Sequence, residues 1–136
     1  ILKSKLASYV VNMESIEIRK SAADLRSIWT AGNEYLQAAA PWSIFKEDPK
    51  RAACIIRFSL NLIALYSNIS RPFLPDTANK IDQALNLENN VLWPNSIENF
   101  LSMLKPHHAF KVPNNLFEKL SDSQTNELKN KFSGLA

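Results

Sequence analysis

Residues Ala52 to Ile69 read Ala-Ala-Cys-Ile-Ile-Arg-Phe-Ser-Leu-Asn-Leu-Ile-Ala-Leu-Tyr-Ser-Asn-Ile. Wound as a helix, this stretch carries apolar side chains on nearly every side, with Ile55, Ile56, Phe58, Leu60, Leu62, Ile63 and Leu65. A helix that is apolar all round belongs in the centre of a bundle. Asp48-Pro49 opens it, with Asp as N-cap and Pro at the first helical position, where the missing N–H has no partner to lose. Its longest apolar run, Ser59 to Ser67, is interrupted by Asn61 and falls short of the roughly 18 residues that span a bilayer. It reads as a core helix, with no membrane partner expected. Arg57 and Asn61 stand one turn apart inside it, and burial obliges polar groups to find partners. An internal hydrogen bond is expected there.

Upstream, Leu2, Leu6, Val10 and Met13 follow the spacing of one helix face. Ile18, Ala22, Leu25, Trp29, Gly32, Leu36 and Ala39 then form a longer seam in steps of four and three. Glu14 and Glu17 lie near its start, where negative charge suits the helix dipole, and Pro41 ends it. Downstream, Pro72 and Pro75 bracket a tight reversal, followed by a helix with Leu74, Ala78, Ile81 and Leu85 on one face. Asn95 and Glu98 form a candidate capping box for a short helix ending before Pro106. His107 to Pro113 reads as irregular, Ser121 with Gln124 starts a last short helix, and Gly134 closes it. The expected fold is all-α: a bundle of about five helices with an irregular C-terminal tail and a short last helix.

Composition agrees. The 136 residues suffice for one domain, and their two glycines argue against an all-β chain, which needs many turns with positive φ. Cys54 is the only cysteine, so no internal disulfide forms; it reads as a buried structural thiol. The net charge of +3 is compatible with nucleic acid without identifying it. Catalytic signatures are missing: there is no glycine-rich phosphate loop, no His-Glu-x-x-His helix and no paired cysteines. His107 and His108 read as an exposed polar turn, because no second ligand pair stands at metal spacing. Because it opens on Ile1 and not Met, the chain is expected to be a piece of a longer protein, residues 1–136 forming one helical domain.

The stretch that carries identity runs from Ile28 to Ile81. It holds Asn33-Glu34-Tyr35, then Ala40-Pro41-Trp42, Lys46-Glu47-Asp48-Pro49, and Pro72-Phe73-Leu74-Pro75. Taken on its residues, Trp42 reads first as a core tryptophan under the following turn. An exposed face at the helix end that Pro41 stops is the alternative. In that order and spacing the motifs resemble the methionyl-tRNA synthetase family. The tail His108-Ala109-Phe110-Lys111-Val112-Pro113 and Leu116-Phe117-Glu118-Lys119-Leu120 resembles the end of its shorter bacterial form.

The resemblance implies the C-terminal anticodon-binding domain of a cytoplasmic ligase that joins methionine to its tRNA using ATP. Pro41 and Trp42 would then pack against the first anticodon base, an aromatic ring being a natural stacking face for an unstacked base. Asn33 matches the motif as a brace for the helix pair, and Tyr35 as a packed tyrosine with its hydroxyl satisfied. Lys46, Lys50 and Arg51 either hold phosphates of the anticodon stem or form an ordinary solvated helix start. Trp29 and Trp93 are expected to be structural. Two departures matter. Gln37 stands where many members carry an acidic residue, and the Asn and Arg with which the family reads base edges belong to a helix before Ile1. No cofactor or metal is expected within this chain; ATP, and any zinc knuckle, would belong to a catalytic part upstream, which would be its partner besides tRNA. The alternatives are the same domain of a valine, isoleucine, leucine or cysteine synthetase, or a stand-alone helical protein-interaction module.

Overall fold

The computed structural model describes residues 1–87, 93, 97–113 and 115–134. Every regular element among them is a helix: α1 (Leu2–Glu14), α2 (Ile18–Ala39), α3 (Pro41–Ile44), α4 (Pro49–Ser70), α5 (Pro75–Ala84), α6 (Ile97–Leu101) and α7 (Asp122–Phe132). Five of these run ten residues or more, and α3 and α6 are single turns of 4 and 5 residues. The all-α expectation holds, with boundaries close to those read from periodicity.

α1 and α2 form an antiparallel hairpin whose apolar faces close on α4. Leu6 and Tyr9 from α1, Leu25 and Ile28 from α2, Leu65 and Ile69 from α4, and Ile97 and Phe100 from α6 make one buried cluster. Tyr9 is fully buried there, and its hydroxyl donates to the Ile69 carbonyl at 2.6 Å. Burial raises its pKa to about 12, since the low-dielectric surroundings penalise the phenolate. Trp93 stacks on Tyr9 with ring centroids 5.9 Å apart, and Trp29 packs against the same cluster, so both tryptophans are structural. Gly32 lets α2 approach α4: a Cβ there would lie 1.6 Å from the Tyr66 hydroxyl, which donates to the Ile28 carbonyl at 3.3 Å.

α4 is capped as its sequence requires. The Asp48 carboxylate accepts from the Arg51 N–H at 2.9 Å, and Pro49 occupies the first turn. Asn61 is buried and saturated with bonds. Its amide donates to the Arg57 carbonyl at 2.9 Å, and its oxygen accepts from the Leu104 N–H at 2.7 Å, pinning the chain after α6 to α4. The expected internal hydrogen bond is present, but Arg57 contributes only its carbonyl; its side chain is exposed. At 22 residues α4 is long and apolar enough to cross a membrane by length and composition, contrary to the reading from its longest apolar run. Its buried second half, packed against α2, α5 and α6, places it as a core helix.

α5 is fastened to α4 by a polar clamp. Buried Asp82 accepts from the Ser67 hydroxyl and from the Arg71 guanidinium, which also donates to Asn79 at 2.5 Å. Beyond α6 the tail straps across the end of α5: Lys111 N–H donates to the Ala84 carbonyl at 2.7 Å, and Asn86 donates to the Ala109 carbonyl at 2.7 Å. His108 is half-buried in this strap, with Nε2 donating to the Leu85 carbonyl. It is therefore a tail-anchoring residue; His107, exposed at φ 66°, is the polar-turn residue expected. α7 carries the predicted Ser121–Gln124 capping box, Gly134 with φ +66° follows its C-cap Ser133, and none of the helix's residues is buried.

Two smaller expectations end differently, and a third is not tested. Glu14 is the last residue of α1, so its charge does not serve α2, while Glu17, the N-cap of α2, pairs with Lys20 at 3.2 Å. Cys54 is exposed, not a buried structural thiol. The capping box expected at Asn95 lies outside the described residues.

Candidate nucleic-acid interface

Pro41 disfavours the right-handed helical region for the residue before it. Ala40 accordingly turns left-handed at φ 38°, ψ 59°, and caps α2 by donating its N–H to the Leu36 carbonyl at 3.0 Å. Pro41 then starts α3 as its first residue. Three residues apart in one turn share a face, and α3 divides its side chains accordingly. Pro41 is buried and Ile44 half-buried against the start of α4, where Ala52 and Ile55 are buried. Trp42, 58% exposed, and Phe45, the 63% exposed C-cap of α3, are likewise three residues apart and meet solvent. Trp42 thus stands at the helix end on solvent, and the core alternative for it is not what folds.

Cations follow these rings in the chain. Lys46 follows Phe45 directly, and Lys50 and Arg51 lie in the first turn of α4; all three are exposed, and none forms an ion pair among the described residues. Two acids share the segment. Asp48 is engaged as the cap, and Glu47 is exposed. Lys50, Cys54 and Arg57 continue along α4 in steps of four and three as an exposed line. Arg57 was missed because the apolar helix around it was read as buried throughout; its signal is this spacing from Lys50. Phe45 was missed because the motif drew attention to Trp42 alone.

The remaining candidates lie on α2. Tyr35 is 37% exposed and sets its ring edge on Phe58, centroids 4.9 Å apart and planes at 64°. It packs as expected, at the rim of the bundle. Asn33 is exposed, and its side chain makes no hydrogen bond among the described residues, so the expected brace between helices is not seen. Gln37 is exposed, towards the same end of α2 as Trp42. A separate apolar cleft of about 490 Å³ opens between Trp29, α4, α5 and the tail strap, including Ile63, Ile81 and Phe110. It holds no acid–base pair. Among the described residues no three His, Cys, Asp or Glu side chains gather as metal ligands.

An outward-facing Trp on a proline-anchored turn, with unpaired cations following it in the chain, combines an aromatic face with positive charge, the two features that suit a single-stranded nucleic acid. The whole chain, residues 1–136, matches the family described as the anticodon binding domain of methionyl tRNA ligase. The chain belongs to that family. Relatives named methionine–tRNA ligase include that of Ruegeria sp. (strain TM1040), 48% identical over 133 residues, covering 98% of this chain and 23% of the relative. That of Jannaschia sp. (strain CCS1) is 48% identical over 134 residues with the same coverage. That of Cereibacter sphaeroides (strain KD131 / KCTC 12085) is 47% identical over 134 residues, again covering 98% and 23%. The chain spans about a quarter of the length of these relatives, the part that this anticodon-binding family describes.

Proposed function

We propose that this domain binds the anticodon stem-loop of methionine tRNA as the recognition part of a cytoplasmic methionine–tRNA ligase. The remainder of that protein would join methionine to the tRNA at the expense of ATP, and any zinc would belong to it. The observation that carries this reading is the exposure of Trp42 on a turn whose proline is buried. The resemblance has Pro41 packing against the base as well, but Pro41 is buried, so it acts from below, anchoring α3 so that the Trp42 ring is held out for a base. Lys46, Lys50, Arg51 and Arg57 offer charge to the phosphates, which positions RNA without reading sequence.

The base-edge readers that the resemblance implies would belong to a helix upstream of Ile1. Stacking is sequence-tolerant and phosphate contacts are sequence-blind, so this chain by itself should bind weakly and discriminate poorly. The test titrates salt while comparing methionine tRNA with an anticodon-swapped copy of the same tRNA. Trp42→Ala should cost about 1–3 kcal/mol of binding, one base's worth of stacking. A hundredfold preference by this chain alone, about 2.7 kcal/mol, would mean that its own residues read base edges. Salt-independent binding, or none, would remove the RNA reading.

A further inference from the structure

We infer that Phe45 is a second stacking platform beside Trp42, so that α3 holds two adjacent unstacked bases and not one. The inference rests on the proposed RNA-binding function and deepens it. Four observations support it. Phe45 is more exposed than Trp42, 63% against 58%. No ring contact joins either side chain to another aromatic among the described residues; the ring pairs there are Tyr9–Trp93 and Tyr35–Phe58. The two rings stand three residues apart, Phe45 being the C-cap of α3 in the right-handed helical conformation, so they are neighbours on the turn that buried Pro41 and half-buried Ile44 hold in place. Finally, Lys46 follows Phe45 immediately and carries no ion pair among the described residues.

Physical spacing makes the two rings a pair of separate seats. Side chains at i and i+3 of a helical turn have Cβ atoms about 5–6 Å apart. Stacked bases in a helix rise about 3.4 Å per nucleotide. Two bases seated on the two rings are therefore not stacked on each other, a state that loops supply and duplexes do not. The partner this selects is a single-stranded loop with two neighbouring splayed bases. Lys46 and Lys50 would meet the phosphates on either side of the second one. Leaving a phenylalanine ring in water gives up the apolar burial that stabilises most such residues. At this position a bound base would supply that cover.

The experiment is a set of coupling cycles at low salt between protein substitutions and a methionine anticodon stem-loop made abasic at one loop position at a time. Phe45→Ala should weaken binding about 5- to 150-fold, the worth of one stacked base. Phe45→Leu, which keeps apolar bulk without a ring face, should lose as much, and Phe45→Trp should bind at least as well as the parent. The loss on Phe45→Ala should vanish at one abasic position, next to the position at which the loss on Trp42→Ala vanishes. If Trp42→Ala weakens binding but Phe45→Ala does not, the second platform is wrong and the proposed function stands. Full binding by Phe45→Leu, or an equal loss at every abasic position, also overturns it, because the ring then stacks on no particular base. If neither substitution changes binding, α3 is not an RNA surface and both readings fall.

Discussion

Gly32→Ala tests whether the approach of α2 to α4 is as close as the structure has it. A Cβ added at Gly32 would sit 1.6 Å from the Tyr66 hydroxyl oxygen and 2.7 Å from Cζ, distances no non-bonded carbon tolerates. Tyr66 must swing away, giving up its hydrogen bond to the Ile28 carbonyl, worth about 0.5–1.5 kcal/mol. Repacking its ring adds about 1–3 kcal/mol of overpacking cost. Against this, Ala in a helix interior is favoured over Gly by about 1 kcal/mol. The balance is a net loss of about 1–3 kcal/mol, which urea melts resolve as a lower midpoint at constant slope. The clash involves one movable side chain, so Gly32→Ala in a Tyr66→Leu background should be neutral or stabilising by up to about 1 kcal/mol. Tyrosine titration gives a second readout: burial holds Tyr66 at about 12, and expulsion from the helix interface should bring it back toward 10. A Gly32→Ala protein as stable as its parent, with Tyr66 still titrating near 12, would falsify the packing argument.

Three further outcomes follow from particular residues. Tyr9 and Tyr66 both have pKa values raised by burial to about 12 from 10.0, so the folded state holds their protons longer than the unfolded chain; their stabilisation is complete below pH 10 and is lost between pH 10 and 12, and Tyr9→Phe should flatten part of that fall in chemical denaturation. Asp82→Ala leaves the buried Ser67 hydroxyl and the Arg71 guanidinium without their shared acceptor and should cost about 3 kcal/mol, with α5 the first helix to lose hydrogen-exchange protection; uniform protection would contradict the clamp. Ile16, a β-branched residue at φ 59° and 79% exposed, pays left-handed strain with little burial to offset it, so Ile16→Gly should raise the thermal midpoint with a gain of about 0.5–1 kcal/mol, and a loss would mean that the side chain is packed.

Local chemistry makes much of this domain legible in its sequence. Asp48-Pro49 and Ser121–Gln124 start helices because capping needs only a side-chain oxygen within three residues of an orphan N–H. Pro41 stops α2 for a reason equally local, since its ring forces Ala40 out of the right-handed region. The amphipathic seam of α2 recurs in part, because one face of a helix repeats every three or four residues: its Leu25 and Gly32 are buried, joined by Ser21 and Ile28, whereas its first member, Ile18, is exposed. Family membership was legible as well, in the ordered motifs between Asn33 and Pro75.

Only the tertiary structure decided which parts of an apolar helix meet water. Lys50, Cys54, Arg57 and Asn61 lie along one line of α4 in steps of four, three and four, and periodicity treats them alike. Asn61 is buried because the chain after α6 is bonded onto it, whereas no element among the described residues covers Cys54 or Arg57. Composition therefore misplaced the thiol and the guanidinium, while the same reasoning placed Asn61 correctly. The exposure of Trp42 and Phe45 has the same origin. Sequence sets which residues share a face of α3, but the face that turns outward depends on Pro41 and Ile44 settling against α4, and burial is a property of the neighbours a residue acquires, not of its own position along the chain.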